Sequence, residues 1–285
     1  MTDLAEEIAA AFKAACRDEL AAPKPGNVHR FADGHRMSVE QFVRSADAAA
    51  LPLTQPGARV GERILHAVEA TAATVGTNTN LGIILLCAPL AAAAERRPSD
   101  LRTALNGVLE ALDVADAALA FRAIMRASPG GLGRVERHDV HGPAVVSLRQ
   151  AMAEAADRDR IARQYVSGFE DIFVTGEKAV AQSRPLERSW VALWVFLAFL
   201  SAFPDSHIVR QHGPETGEEV RRDARSFRAR LDAAADPADL LADLLRWDAA
   251  LKARNINPGT SADLTVATLF RERLRRVLPS TNNNG

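Results

Sequence analysis

Five short tracts carry most of the side chains that could do chemistry. They are Pro23-Lys24-Pro25-Gly26-Asn27-Val28-His29-Arg30, Gly76-Thr77-Asn78-Thr79-Asn80, Ser128-Pro129-Gly130-Gly131-Leu132-Gly133, Asp205-Ser206 with Arg210, and Asn257-Pro258-Gly259-Thr260-Ser261-Ala262-Asp263. Asn and Asp are poor residues for helix interiors, and with Gly they favour turns. Each tract lies where one apolar-periodic stretch stops and another starts. Polar junctions of this kind predict one site assembled from several loops.

The first tract sets Lys24 and Arg30 around the backbone of Gly26 and Asn27. An ammonium acting as a point charge and a guanidinium acting as a fork suit phosphates, although a proline-closed solvated loop has the same composition. In the second tract one Thr or Asn is expected to cap the following helix. Asn78, Thr79 and Asn80 then leave spare groups for an anion or a ribose. Gly130-Gly131-Leu132-Gly133 has the composition of a nucleotide loop, but no strand precedes it, so a Rossmann or P-loop reading fails on context. His138-Asp139-Val140-His141 is a weak metal signature that adds Asp139 to the acids. Asp205 and Asp263 stand beside small residues where helices begin, and capping is their plain role. If they reach a cavity, their hard oxygens suit Mg²⁺ carried by a nucleotide.

The elements that must position these residues read as helices. Leu4, Ile8, Phe12 and Ala15 follow helical spacing behind a capping Asp3, and Pro23 and Pro25 close that stretch. Ser38 is expected to cap a helix over 38–50, which Pro52 interrupts. The segment 81–94 is apolar almost all round and marks a central helix. Further helices are expected over 101–125, 144–156, 160–183, 186–203, 217–233, 238–253 and 261–278. Ile172-Phe173-Val174 is the one β-like fragment, and it sits inside a helical stripe. The fold class is all-α, with about ten helices in a single compact domain over 1–280 and a frayed tail at 281–285.

Composition bounds the function. The 285 residues hold 35 basic and 36 acidic side chains, a formal net charge of -1. That balance gives no electrostatic reason to expect a nucleic-acid or membrane partner. Cys16 and Cys87 have no ligand-like spacing and read as small buried apolar residues in a cytoplasmic protein. The apolar run 190–203 is shorter than the roughly 20 residues of a membrane span and reads as a core helix. Small-molecule substrates are the expected partners, and a homo-oligomer remains open.

In this order, Pro-Lys-Pro-Gly-Asn-Val-His-Arg, Gly-Thr-Asn-Thr-Asn-Leu-Gly, Asp-Ser with a later Arg, and Asn-Pro-Gly-Thr-Ser-Ala-Asp-Leu resemble the triphosphoribosyl-dephospho-CoA synthases, from about Cys16 to Phe270. The resemblance implies an all-helical enzyme that displaces adenine from Mg-ATP and joins the triphosphoribosyl unit to 3′-dephospho-CoA, making a prosthetic-group precursor. It implies Lys24, Arg30 or Arg210 on phosphates, with Gly26, Asn27 and Thr79 beside them. Asn78 and Asn80 would face ribose hydroxyls. Asp139, Asp205 and Asp263 would be the acids of catalysis, the last two also holding Mg²⁺. The chain departs from the citrate-lyase-type pattern at Asn80-Leu81, where those enzymes carry His-Lys, and at His29, where they carry Asp. Competing expectations are therefore a sister enzyme acting on another acceptor in one-carbon-carrier cofactor biosynthesis, and a non-catalytic nucleotide-binding protein.

Overall fold

The computed structural model describes residues 3–127, 140–183 and 187–278. Gly130-Gly131-Leu132-Gly133, His138, Asp139 and the 281–285 tail lie outside them. The described residues form fourteen α-helices: α1 (Leu4–Ala21), α2 (Val39–Leu53), α3 (Val60–Val75), α4 (Leu81–Glu95), α5 (Leu101–Glu110), α6 (Val114–Ala127), α7 (Leu148–Ala153), α8 (Arg160–Ser167), α9 (Glu177–Gln182), α10 (Arg188–Ala202), α11 (Ser206–His212), α12 (Pro214–Ala233), α13 (Leu241–Ala253) and α14 (Gly259–Val277). A π-helical segment, Asp171–Gly176, precedes α9, and a 3₁₀ turn, Pro237–Leu240, leads into α13. No strand occurs among the described residues.

The all-α expectation holds, and the count of about ten rises to fourteen among the described residues, in part through the unexpected α11 and two breaks. Asp113 accepts the N–H groups of Ala115 and Asp116, which starts α6 anew and divides the expected 101–125 helix. Gly168 and Phe169 both have positive φ, 65° and 58°, and end α8 inside the expected 160–183 helix. The β-like Ile172-Phe173-Val174 lies in the π-helical segment that follows. The expected caps are present. Asp3 accepts from Ala5 N–H, and Ser38 and Gln41 form a reciprocal capping box on α2. Pro52 does not interrupt α2 but lies within its last turn.

α4 and α10 are the most buried helices. Nearly every α4 side chain from Leu81 to Ala94 is enclosed, Cys87 among them. α4 contains Pro89, which has no N–H to give to the carbonyl of Leu85. The hydroxyl of Tyr165, fully buried on α8, donates to that carbonyl at 2.6 Å and replaces the missing bond. α14 packs along α1, α4 and α10, with its first turns beside the start of α4 and the end of α10. No single helix among the described residues is long and apolar enough to cross a membrane.

Candidate active site

A cavity of about 600 Å³ opens where α4, α8 and α14 begin. Thr77, Asn78 and Thr79 approach it from the α3–α4 junction, and Asp159 from the start of α8. His207 and Arg210 come from α11, and Asn257, Thr260 and Asp263 from the start of α14. Glu19 and Asn27 reach it from α1 and the loop that follows. The opposite wall is apolar, with Phe121 and Ile124 of α6, Met152 of α7 and Ile161 of α8. Helix N-termini carry a partial positive charge, so the polar end favours an anion, although the first three N–H groups of α8 are already taken by Ser206 and Asp159. Among the described residues its side-chain cations are Arg210 and the exposed Arg158.

The loop carrying the first tract is buried from Pro23 to His29. Gly26 has φ 81°, and a Cβ there would lie 2.8 Å from Pro258 Cδ, so glycine is needed both for conformation and for space. Its N–H donates to Asp248 Oδ1 at 2.8 Å. The His29 ring lies 3.3 Å from the same carboxylate, which also accepts from Lys252 at 3.0 Å. Burial raises the Asp248 pKa, but the bonds from His29, Lys252 and Gly26 outweigh it and the net shift is downward. His29 is thus structural, placed behind the loop.

Lys24 is fully buried and does not line the cavity. Its ammonium donates to Glu19 Oε1 and, at 3.0 Å, to Asn27 Oδ1. Asn27 in turn donates through Nδ2 to Asn257 Oδ1 at 2.8 Å, tying the first tract to the last. Arg30 is exposed, stacks 4.5 Å over Phe31 and stays off the cavity wall.

In the second tract Asn78 is both cap and wall residue, since its Oδ1 accepts the Leu81 N–H at 3.1 Å. Thr79 donates to Ser45 Oγ at 2.6 Å. Asn80 turns inward, away from the cavity, and its Nδ2 is buried without a partner among the described residues.

The two aspartates differ sharply. Asp205 is fully buried and off the cavity wall. Its Oδ1 accepts the N–H groups of His207 (2.9 Å) and Ile208 (3.2 Å), capping α11. Its Oδ2 accepts the N–H (2.7 Å) and hydroxyl (2.8 Å) of Ser261. Beside it Ser206 bonds Thr260 at 2.9 Å and accepts the Arg160 N–H at 3.2 Å. These contacts clasp the starts of α8, α11 and α14 together.

Asp263 lies in the second turn of α14, not the first as expected, and caps nothing. It faces the cavity with no hydrogen bond or ion pair among the described residues, and Oδ2 sits against Gly82. A Cβ at Gly82 would lie 2.0 Å from that oxygen, which explains the glycine ending Gly-Thr-Asn-Thr-Asn-Leu-Gly. Burial, then the negative fields of Glu19, Asp205 and Asp159, hold the Asp263 pKa well above the usual carboxyl range, with Lys24 opposing. Burial likewise lowers the His207 pKa against the pull of Asp205, so that ring is neutral.

The tracts did not point to Glu19, Asp159, Arg158 or His207. Asp159 caps α8 and holds Arg210 at 3.2 Å. Only the capping position before α8 could have marked it. No group of three or more His, Cys, Asp or Glu among the described residues is placed to hold a metal. Asp139 lies outside the described residues.

Comparison with known proteins agrees with this architecture. The sequence matches the CitG family, ATP:dephospho-CoA triphosphoribosyl transferase, over residues 5–282. The structure resembles that of a proposed triphosphoribosyl-dephospho-CoA synthase from Archaeoglobus fulgidus. That likeness has a TM-score of 0.60 at 24% identity and covers 80% of this chain and 95% of the other, which shows a shared fold. No protein of curated function matches the sequence. The chain belongs to the ATP:dephospho-CoA triphosphoribosyl transferase family, and it is a transferase.

Proposed function

We propose that the chain displaces adenine from Mg-ATP and attaches the triphosphoribosyl group to the ribose of 3′-dephospho-CoA. The observation that carries this reading is the cavity itself. It joins three helix N-termini and two arginines to an unpartnered, proton-holding Asp263. The triphosphate fits the end formed by α4, α8 and α14 with Arg158 and Arg210, where N–H groups and guanidinium forks meet negative charge. Thr77, Asn78 and Thr79 suit ribose hydroxyls. Adenine leaving the anomeric carbon must accept a proton, and Asp263, whose pKa burial holds well above the usual carboxyl range, is placed to supply it.

The roles suggested by the tracts change accordingly. Asp205 and Lys24 become positioning residues, because their polar atoms are already engaged. Magnesium enters as part of the substrate, held chiefly by phosphate oxygens. Asp159, at the start of α8, is the wall carboxylate that suits its remaining positions, Asp263 being kept for the proton.

The test is adenine release from Mg-ATP with and without dephospho-CoA, with mass spectrometry of the product. We expect acceptor-dependent adenine and an acceptor heavier by one triphosphoribosyl unit. ATP cleaved at its phosphates, or adenine never released, would overturn the reading.

One observation favours a second acceptor. Leu81 lines the cavity at the position where citrate-lyase-type relatives carry Lys. Leu81→Lys should then tighten dephospho-CoA binding by about tenfold, the worth of a charge-assisted contact. Asn80→His would add nothing, since residue 80 turns away from the cavity. An unchanged affinity in Leu81→Lys would remove the reason for a different acceptor.

A further inference from the structure

Transfer to a hydroxyl needs a base as well as an acid, and neither Asp205 nor Asp263 provides one. Both oxygens of Asp205 each accept two hydrogen bonds. Asp263 holds the proton that adenine takes. Among the described residues three other carboxylates line the cavity: Glu19, Glu154 and Asp159. Asp159 is weakened as a base, because Oδ1 accepts from Ile161 (2.9 Å) and Ala162 (3.1 Å) while Oδ2 faces Arg210 at 3.2 Å. Glu154 is solvent-exposed. Glu19 is 4% exposed, and only its Oε1 is engaged, by Lys24. Its Oε2 takes part in no hydrogen bond among the described residues.

We propose that Glu19 is the general base of the reaction, taking the proton of the attacking acceptor hydroxyl, and that Lys24 positions it and keeps it ionised. The proposal rests on the transfer reading above. Burial strengthens a carboxylate as a base, and with no counter-charge it would simply become protonated, as Asp263 does. Lys24 opposes that by lying against Glu19, itself fixed by Asn27 at 3.0 Å and so by Asn257. Burial raises the Glu19 pKa on balance, with Lys24 opposing in part, and lowers the Lys24 pKa on balance, with Glu19 opposing in part. The other groups facing the pair are the buried, neutral Cys16 thiol, Asp263 and, behind Lys24, Lys252. Two carboxylates in one cavity, one with a buried cation and one without, divide into base and acid.

The step balances. The acceptor O–H gives its proton to Glu19, and the oxygen lone pair forms the bond to the anomeric carbon. The electrons of the carbon–nitrogen bond leave with adenine, which takes the Asp263 proton. Passing one proton from Glu19 to Asp263 through solvent restores the enzyme.

The experiment replaces the acceptor with azide, which attacks without losing a proton. In Glu19→Gln we expect kcat for dephospho-CoA to fall by about a hundredfold or more with KM little changed. Adenine release with azide should stay at the wild-type rate and yield a triphosphoribosyl azide. Lys24→Met should move the acidic limb of the kcat/KM pH profile upward, because Glu19 loses its counter-charge. The double variant E19Q/K24M, which leaves no buried charge unpaired, repeats the azide comparison if Glu19→Gln folds poorly. Equal loss with both acceptors, or retained transfer to dephospho-CoA, would overturn the role of Glu19. Wild type inactive toward dephospho-CoA but active with azide would instead reject the acceptor reading, and with it this proposal.

Discussion

The junction between α10 and α11 and the second turn of α14 each hold one aspartate near the same cavity, and they treat it in opposite ways. At the junction, Asp205 receives four hydrogen bonds from three residues. In α14, Asp263 receives none among the described residues and rests against the bare Cα of Gly82. A carboxylate that accepts several hydrogen bonds is fixed in place. One without a partner, on the wall of a cavity, is free to exchange a proton with what binds there. Stability is concentrated in the first region and chemistry in the second.

Substitutions at the two aspartates should therefore separate activity from stability. Asp263→Asn is expected to lower adenine release by about 10²–10⁴-fold, the usual worth of a general acid. Its unfolding midpoint in denaturant should not fall. Asp205→Ala is expected to do the reverse as its primary effect, costing about 3 kcal/mol in unfolding experiments through a lost cap and stranded Ser261 donors. A normally stable Asp205→Ala with weakened Mg-ATP binding would return that residue to the metal.

Tyr165→Phe gauges the scaffold away from both acids. It strands the Leu85 carbonyl freed by Pro89, at about 1–3 kcal/mol, and should leave the pH profile of activity in place. A scan of unfolding free energy against pH sharpens the contrast further. Since the folded pKa of Asp263 is raised, the native state binds more protons than the unfolded chain above the ordinary carboxyl value of about 3.9. Its neutral form contributes fully below that value, and the contribution is lost as pH rises through the folded pKa. Asp263→Asn, which cannot ionise, should match wild type near pH 4 and gain on it as pH rises. A constant difference across the scan would mean that Asp263 is ordinarily ionised.

Much of this was legible in the sequence. Helical periodicity gave the all-α class, and Asp3 and Ser38 announced their helices because capping is a local matter. The polar tracts pointed to one neighbourhood, and Asn27, Asn78, Arg210 and Asp263 do reach one cavity. What local pattern could not show was which polar atoms are already spoken for. The partner of Lys24 is Glu19, inside an ordinary amphipathic helix, and that of Asp205 is Ser261, far along the chain. Nor does periodicity reveal that Asn80 turns inward, or that positive φ at Gly168 and Phe169 would break a continuous stripe.

The acid role of Asp263 is open to a direct kinetic measurement. Wild type and Asp263→Asn are compared on ATP and on an N7-methylated adenosine triphosphate, whose cationic base departs neutral and needs no proton. The account predicts that Asp263→Asn loses the ATP reaction but releases the methylated base at close to the wild-type rate. Equal losses on both donors would contradict it, because Asp263 would then be serving something other than the departure of adenine.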